Sequence, residues 1–183
     1  ELTKEARTSP SGSTRDYYDA AALDVSMMRN AGLRNRRVVE RCERQGVNAI
    51  SVSGLDGRRV QGERNRGIRV REGGKTILKR DFSGKPRSAN ITLPELLLKH
   101  EYRPVISIPI IDEQGHAINS ENDDIVNVLQ KGLNATRILQ LIEAPGFLDN
   151  RKDPSSLVPQ MSQAELAQRE QQVEGRMKRK MLA

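Results

Sequence analysis

The sequence predicts an α/β fold in which a parallel sheet is covered by helices on both faces. Two observations carry this prediction. Short runs of β-branched residues alternate along the chain with segments whose apolar residues recur at helical spacing, and turn residues separate these runs. Strands that alternate with helices pair in parallel, because each helix returns the chain to the same edge of the sheet. The length of 183 residues predicts one domain, over residues 1–183, with a sizeable core.

Two helices are predicted in the first quarter of the chain. Asp19 is expected to cap a helix whose apolar positions begin at Leu23, and Gly32 is expected to interrupt it. The second helix is expected to end at Gly46, because glycine adopts the left-handed conformation that closes many helices.

A strand and a hairpin are predicted to follow these helices. Residues 47–52 are small and β-branched, which predicts a buried strand, and the Ser-Gly-Leu-Asp-Gly turn at 53–57 ends it. Two further β-branched runs, at 68–71 and 76–78, are joined across a Gly-Gly pair at 73–74. Such a pair supplies the positive φ angles of a tight turn, so the two runs predict a β-hairpin inserted into the α/β domain.

The second half of the chain continues the alternation. A Thr-Leu-Pro-Glu capping box at 92–95 predicts a short helix, and residues 105–111 predict the most hydrophobic strand. Residues 119–124 lead into another predicted helix, and residues 136–142 predict a second buried strand. A Ser-Gln-Ala-Glu capping box at 162–165 predicts the start of a further helix.

Positive charge is concentrated in one region rather than spread over the chain. Residues 34–87 contain 16 Lys and Arg against six Asp and Glu, a local balance of +10 in a chain of net charge +7. Such a region attracts phosphates, nucleic acids or acidic proteins. Proteins that bind single strands interleave aromatic residues for base stacking, and this region offers only Phe82, so nucleic acid is disfavoured. A solvated basic face without a partner remains an alternative.

Composition and motifs exclude several classes of protein. No apolar run approaches the ~20 residues needed to cross a bilayer, so a membrane protein is excluded. No signal peptide is visible, which together with the single cysteine favours the cytoplasm. Cys42 is predicted to be a structural thiol, and His100 and His116 lack the spacing of zinc ligands. Neither a dinucleotide-binding GxGxxG nor a P-loop motif occurs.

Three segments occupy positions at which open α/β sheets bind ligands. They follow predicted strands or open a predicted helix, and they are residues 53–57, 119–124 and 143–146. The run at 119–124 combines three carboxylates with two amides, and it can either cap a helix or orient cations around a phosphate. Residues 175–180 open a predicted helix with four cations, which suits a phosphate site or an exposed basic tail.

Taken together and in order, seven motifs resemble the amino acid kinase family. The likeness is greatest to the branch that phosphorylates the side-chain carboxylate of 2-aminoadipate or glutamate held on an amino-group carrier protein, with N-acetylglutamate kinase as a near relative. The motifs are SPSG at 9–12, SGLDGR at 53–58, RDFSGK at 80–85, NSEND at 119–123, APGFL at 144–148, DPSSL at 153–157 and GRMK at 175–178.

The resemblance implies a fold, a reaction and partners. The fold would be a three-layer αβα sandwich around a mostly parallel sheet, with the basic hairpin at about 58–87 as a lid over the substrate. The reaction would use ATP and Mg²⁺ to make an acyl phosphate without a covalent enzyme intermediate. The partner would be an amino-acid substrate on a small acidic carrier protein, whose charge suits the basic region. A homodimer formed through the apolar face of residues 23–33 would also be possible, with a core role for that face as the alternative.

The resemblance also implies the residues of the site. It gives catalytic roles to Asp123, which would orient phosphate-facing cations, and to those cations themselves, Lys178 and Arg179. Arg15 would pair with the substrate carboxylate and Asn119 would bind the backbone end of the amino acid. The nucleotide would contact the loop that contains Glu143, Pro145 and Gly146, and no protein ligand to a metal is implied.

Some residues depart from the family pattern. Where relatives carry a hydroxyl residue followed by Asp or Asn, this chain carries Ile142 and Glu143. Arg179 stands where relatives carry a second phosphate-binding lysine, and the family's first and last strands are expected outside this chain. Two alternatives therefore stand beside the carrier-linked kinase. They are N-acetylglutamate kinase and a catalytically silent kinase-like protein that holds an acidic partner.

Overall fold

The predicted alternation of helices and strands is present in the computed structural model, which describes residues 6–8, 14–16, 18–72, 75–143, 145–150 and 152–170. The chain divides into two compact units, residues 1–134 and 135–183. The strands are β1 (Ala6–Thr8), β2 (Thr14–Asp16), β3 (Ala49–Ser53), β4 (Val60–Arg64), β5 (Ile68–Glu72), β6 (Lys75–Lys79), β7 (Gly84–Ala89), β8 (Arg103–Ser107), β9 (Ile110–Ile111) and β10 (Ala117–Ile118). The helices are α1 (Ala20–Met27), α2 (Asn35–Glu43), α3 (Thr92–Lys99), α4 (Asn122–Leu133) and α5 (Gln163–Glu170).

The α/β class predicted from the sequence is confirmed. Strands β3 and β8 pair in parallel, with Ser51 beside Val105, and helices α2 and α3 pack against this pair. A four-stranded sheet in the order β10-β9-β4-β7 lies next along the chain, and β4 meets β9 in parallel at Gln61 and Ile111. Strands β5 and β6 form the predicted antiparallel hairpin. The Gly-Gly pair at its tip lies outside the described residues.

The core of the first unit lies between the four-stranded sheet and helix α4. Val60, Ile110 and Ile118 are fully buried there, and Ile125 of α4 packs onto them. Each such side chain contributes roughly 1.5–3 kcal/mol on burial. Helix α4 also packs along β7, so its first turn is held at one end of this sheet.

The first helix continues through the glycine that was expected to interrupt it. Asp19 caps α1 as predicted, since its carboxylate accepts a hydrogen bond from the Ala22 N–H at 2.8 Å. Beyond α1 the chain passes through a π-helical segment, Met28–Arg34, directly into α2. Gly32 lies within this segment, so the prediction of a break there is wrong. One glycine lowers helix stability without ending the helix when flanking turns are packed.

Two strand predictions in the second half need correction. The run at 105–111 is divided, because β8 ends at Ser107 and the chain crosses the cis Ile108–Pro109 bond to β9 in the other sheet. Proline has no N–H to extend a strand ladder. The run at 136–142 forms no strand, and Leu139 and Leu141 are 83% and 99% exposed. An apolar run becomes a buried strand only when a neighbour pairs its backbone groups.

The two predicted capping boxes have opposite outcomes. The box at 92–95 is wrong, since Thr92 lies inside α3 and the side chain of Asn90 accepts the Thr92 N–H instead. The box at the start of α5 is confirmed: Glu165 accepts the Ser162 N–H at 2.7 Å, and the Glu165 N–H donates to Ser162 Oγ at 3.3 Å. Gly46 closes the α2 region with φ of 72°, as predicted.

In the part of the chain that is described, the helices are too short or too polar to cross a bilayer.

Candidate functional site

The ends of the two parallel strands lie side by side and are tied together. The Gly54 N–H, just beyond β3, donates to the Ser107 carbonyl at the end of β8 at 2.9 Å. A Cβ on Gly54 would lie 2.7 Å from the Pro109 carbonyl oxygen, so only glycine permits this approach. Carboxyl ends of parallel strands are where open α/β sheets bind ligands, so this edge is the first part of the candidate site.

The turn after β3 is closed by its own aspartate. The Asp56 carboxylate accepts the Ser53 N–H at 2.6 Å and the Ser53 hydroxyl at 3.1 Å. Gly57 has φ of 63°, in the left-handed region that favours glycine. The Asp56 carboxylate therefore shapes this turn, and its contacts give it a structural role.

A buried arginine follows the same turn and was missed by sequence reasoning. Arg59 is 1% exposed, and its Nη2 donates one long hydrogen bond, of 3.5 Å, to the Asp56 carbonyl. Its Nε and Nη1 atoms are buried without a hydrogen-bond partner. Burial lowers the pKa of Arg59, and the nearby Asp56 carboxylate opposes that effect. No local pattern marks this residue, because its burial arises from packing around the turn.

Asn119 is held at the end of the four-stranded sheet by its backbone. Its N–H donates to the Phe82 carbonyl at 2.8 Å, and its carbonyl accepts the Gly84 N–H at 2.9 Å. Its side-chain Oδ1 is buried without a partner, and so is the hydroxyl of the following Ser120. Unpaired buried polar atoms are rare because they are costly, so each calls for a specific explanation. A ligand N–H that reaches Asn119 Oδ1 is such an explanation.

The segment that holds Asn119 is itself fixed by a polar cluster around Asp81. The buried Asp81 carboxylate accepts hydrogen bonds from the Ser83 hydroxyl and from Asn65 Nδ2, the latter at 3.2 Å. Arg64 donates through Nε to the Asp81 carbonyl at 2.9 Å and stacks over the Phe82 ring at 4.0 Å. The motif at 80–85 thus has a clear structural role, which is to hold the strand bridge to Asn119.

Asp123 lies in the first turn of α4, four residues after Asn119. Both Asp123 and Asp124 occupy this turn, where a carboxylate complements the positive end of the helix dipole. Glu121, the N-cap residue, makes no side-chain capping bond. The structure therefore brings two predicted site residues, Asn119 and Asp123, to the same helix entry.

A cavity of about 320 Å³ adjoins this helix entry within the first unit. Its polar wall contains Asn30, Arg34 and Asn35 from the helical segment, and its floor is residues 105–108 of β8 and beyond. Asn122, the first residue of α4, closes the other side. The cavity has room for a small ligand beside the strand ends and the start of α4.

In the second unit, the predicted nucleotide loop is braced by the segment that follows it. The Val158 N–H donates to the Phe147 carbonyl at 2.9 Å, and Leu148 bridges to Leu157. Gly146 has φ of 147°, and a Cβ there would lie 2.8 Å from Leu157 Cδ1. Glu143 and Pro145 are exposed at the start of this loop. The described part of this motif, residues 145–148, is thus a braced loop, and Glu143 and Pro145 face solvent.

Three predicted site residues are only partly described or lie outside the description. Arg15 is in β2, where its backbone pairs with Arg7, and its side chain is not among the described groups. Lys178 and Arg179 lie outside the described residues, as does the whole motif at 175–178. Their roles stay predictions. Among the described residues, no group of three His, Cys, Asp or Glu is placed to hold a metal ion.

Comparison with known proteins relates this chain to the amino acid kinase family. The sequence model of the amino acid kinase family matches residues 2–183. A LysW-aminoadipate kinase of Deinococcus radiodurans is 36% identical over 176 residues, which are 96% of this chain and 60% of the relative. The LysW-aminoadipate kinase of Thermus thermophilus is 34% identical over 96% of this chain and 66% of its own. This chain therefore spans somewhat less than two thirds of both relatives.

More distant similarities agree with these. An acetylglutamate kinase of Methanopyrus kandleri is 31% identical over 140 residues, covering 76% of this chain and 55% of that protein. The crystal structure of smu.665 from Streptococcus mutans UA159 superposes with a TM-score of 0.69 and 13% identity. The superposition covers 91% of this chain and 63% of the smu.665 chain, and this likeness supports the fold alone.

Proposed function

Because this chain belongs to the amino acid kinase family, we propose that the protein phosphorylates the side-chain carboxylate of 2-aminoadipate or glutamate held on an amino-group carrier protein. The single observation that carries the proposal is the buried, unpartnered Oδ1 of Asn119 four residues before Asp123 at the start of α4. The names of the two LysW-aminoadipate kinases support the substrate class.

The reaction transfers the γ-phosphoryl group of ATP to the substrate carboxylate. A carboxylate oxygen forms a bond to phosphorus while the bond to the ADP oxygen breaks, and the products are an acyl phosphate and ADP. Such a transfer needs little covalent chemistry from the protein, so catalysis rests on positioning and on neutralisation of charge. Mg²⁺ would arrive with the nucleotide phosphates.

Each predicted residue then has one task in this reaction. Asn119 accepts an N–H of the substrate through Oδ1, and Arg15 pairs with a substrate carboxylate. Asp123 orients the cations that face the phosphates, as an acceptor-only group at a helix start can. Lys178 and Arg179 neutralise the charge of the transferred phosphoryl group. The nucleotide contacts Glu143, Pro145 and Gly146.

The basic region is the proposed docking surface for the acidic carrier. Arg58, Arg66, Arg80 and Lys85 are exposed on the stretch at 58–87, the proposed lid. Arg87 is exposed too, but it pairs with Glu63. Exposed cations steer an acidic partner, and salt weakens that attraction.

The test is acyl-phosphate formation by the full-length protein. Mg·ATP is supplied with carrier-bound aminoadipate, carrier-bound glutamate or free N-acetylglutamate, and hydroxylamine traps the acyl phosphate as a hydroxamate. We expect product with a carrier-bound substrate and little with N-acetylglutamate. Product from N-acetylglutamate alone would replace the proposal by the acetylglutamate kinase, which the relative at 31% identity makes the second candidate.

Absence of product from all three substrates would point to the third candidate, the silent kinase-like binding protein. The observation that favours it is the pair Ile142 and Glu143, which stands where relatives carry a hydroxyl residue followed by Asp or Asn. Two further predictions stay open to their own tests: a homodimer, to which the exposed Met28 and Leu33 could contribute, and a cytoplasmic location.

A further inference from the structure

Asn35 is a buried polar residue with an unusual position in the chain. It is the first residue of α2, directly after the π-helical segment, and it is 3% exposed. A π-helical turn is rare and is found frequently at functional sites, since it shifts the following side chains relative to an α-helix. Here the segment delivers Asn35 onto the pair of parallel strands.

The Asn35 side chain joins the two parallel strands near their carboxyl ends. Its Nδ2 donates to the Val105 carbonyl at 2.8 Å and to the Val52 carbonyl at 3.2 Å. Val52 is the last residue but one of β3, and Val105 lies two residues before the end of β8. Both hydrogens of one amide nitrogen are thereby used to hold two neighbouring strands.

The oxygen atom of the same side chain lacks a hydrogen-bond partner. Asn35 Oδ1 is buried and has no hydrogen-bond partner. A buried acceptor without a donor is unfavourable, and an aliphatic residue would remove that cost at once. The amide is the smallest side chain that offers two donors on one atom, so its benefit lies in the two bonds to the strands.

We propose that Asn35 is a positioning residue for the phosphoryl transfer, acting by fixing the relative position of the β3 and β8 ends. The inference rests on the proposed function. The segments that follow these ends, around Gly54 and Ser107, are joined by the 2.9 Å bond and form the ligand edge of the parallel pair. Misplacement of catalytic groups by about 1 Å can lower a rate about 100-fold.

The first test is the pH profile of Asn35→Asp in the full-length protein. An ionised carboxylate would face two carbonyl oxygens without a hydrogen, whereas a protonated one can donate a single bond. Arg34 is the charged residue among those that line the adjoining cavity. At pH 8 we expect the kcat of Asn35→Asp to be about 10–100-fold below that of wild type, with KM for ATP nearly unchanged. Between pH 8 and pH 6 the ratio of the kcat of the variant to that of wild type should rise several-fold.

Asn48→Asp is the matched control. Asn48 is exposed and lies directly before β3, at the end of that strand opposite to Gly54. Its carbonyl accepts a hydrogen bond from the Arg103 N–H, and the substitution keeps this bond. The ratio of the kcat of Asn48→Asp to that of wild type should stay constant with pH. A ratio for Asn35→Asp that is also constant, or a kcat equal to wild type, would overturn the inference. If Asn35→Asp fails to fold, Asn35→Ser, with a single uncharged donor, should show an intermediate kcat.

Hydrogen exchange at the Gly54 amide separates this inference from the proposed function. The Gly54 N–H reports directly on the bond between the two strand ends. We expect it to lose protection in Asn35→Asp at pH 8 and not in Asn48→Asp. Unchanged protection of the Gly54 amide in Asn35→Asp would overturn the inference that Asn35 holds the two strand ends together. A wild-type protein that makes no acyl phosphate would overturn the proposed function and the catalytic part of the inference, whatever Gly54 shows.

Discussion

Asp123 is a residue whose role could be either structural or catalytic. In the first turn of α4 its carboxylate complements the helix dipole, as does that of its neighbour Asp124. The family resemblance gives only Asp123 a task in phosphoryl transfer. The two aspartates lie in the same helical turn and carry the same type of charge, so a comparison of their variants separates catalysis from helix stabilisation.

We predict that Asp123→Asn lowers kcat for acyl-phosphate formation at least about 100-fold, because the phosphate-facing cations lose the group that orients them. Its free energy of unfolding should fall by no more than about 1 kcal/mol, the value of a dipole interaction. Asp124→Asn should show the same small loss of stability with kcat near wild type. Steady-state kinetics and thermal unfolding measure both quantities. Equal kcat in the two variants would remove Asp123 from the catalytic site.

Arg59 provides a prediction on stability alone. A buried cation whose Nε and Nη1 lack hydrogen-bond partners is unfavourable, and replacing it by an apolar side chain of similar length removes that cost. Arg59→Met should therefore raise the free energy of unfolding by about 1–3 kcal/mol. Arg58→Met, at the exposed neighbour, should change it by less than about 0.5 kcal/mol. Urea denaturation decides, and a loss of stability in Arg59→Met would show that the guanidinium has a partner.

Local sequence patterns locate the helix entry of the candidate site, whereas the roles proposed for its residues come from the family resemblance. Asn119 and Asp123 stand four apart at a helix entry that composition and periodicity can locate. Asn35 and Arg59 carry no such mark, because their burial comes from segments distant in sequence. Asn35 bonds residues 17 and 70 positions away. A single sequence does not reveal contacts at that range.

At the scale of elements, local signals predict three helix ends correctly and miss at Gly32 and at the capping box of 92–95, and they do not predict strand pairing. The caps at Asp19 and Ser162 and the close at Gly46 depend on residues within one turn, and the structure confirms all three. The strand predicted at 136–142 depends on a neighbour that the sequence does not specify, and no strand forms among the described residues there. The prediction at 105–111 failed for a related reason, since the two halves pair with different sheets.

Two glycines in different elements should respond in opposite directions to alanine. In Gly54→Ala the new Cβ would meet the Pro109 carbonyl oxygen at 2.7 Å, so we expect a loss of about 1–3 kcal/mol as the backbone adjusts. In Gly32→Ala the nearest atom, the Met27 carbonyl oxygen, is 3.9 Å away, and the helical segment should gain up to about 1 kcal/mol. Thermal unfolding measures the pair. A stabilised Gly54→Ala would contradict the tight approach of the two strand ends.

The capping box of α5 should make a pH-dependent contribution. The hydrogen bonds from the Ser162 backbone and hydroxyl hold the pKa of Glu165 below its usual value of 4.5. A depressed carboxyl pKa stabilises the folded state above the unfolded value, and that stabilisation is lost as pH falls through the folded value. The difference in unfolding midpoint between wild type and Glu165→Ala should therefore shrink from pH 7 to about pH 3. A difference that is constant with pH would contradict the box.

At the scale of the whole molecule, charge distribution was available from the sequence and the arrangement of elements was not. The excess of +10 in residues 34–87 needs only counting. It was the order of seven motifs, spread over the chain, that indicated the family, and the match over residues 2–183 confirms it. The α/β class followed from alternation, whereas the division of the strands among several sheets did not.

The basic region gives a prediction for the whole molecule. If it receives an acidic carrier, the dissociation constant should rise about tenfold or more between 50 and 500 mM salt, because screening shortens the range of the attraction. Calorimetry with the carrier measures this. A double variant, Arg66→Gln with Arg80→Gln, should bind more weakly and show a smaller salt slope. Binding that does not depend on salt would remove the electrostatic docking surface.

The exposed apolar run of the second unit has a consequence for experiments on the proposed nucleotide loop. Residues 138–142, Ile-Leu-Gln-Leu-Ile, have the β propensity and lack of charge that favour intermolecular cross-β stacking. Arg137 and Glu143 flank the run, and charged residues in such places act as gatekeepers against aggregation. Neutralising Glu143 to probe ATP binding therefore also removes a gatekeeper. Lower activity of that variant would reflect nucleotide contact only in a sample that light scattering shows to be free of aggregates.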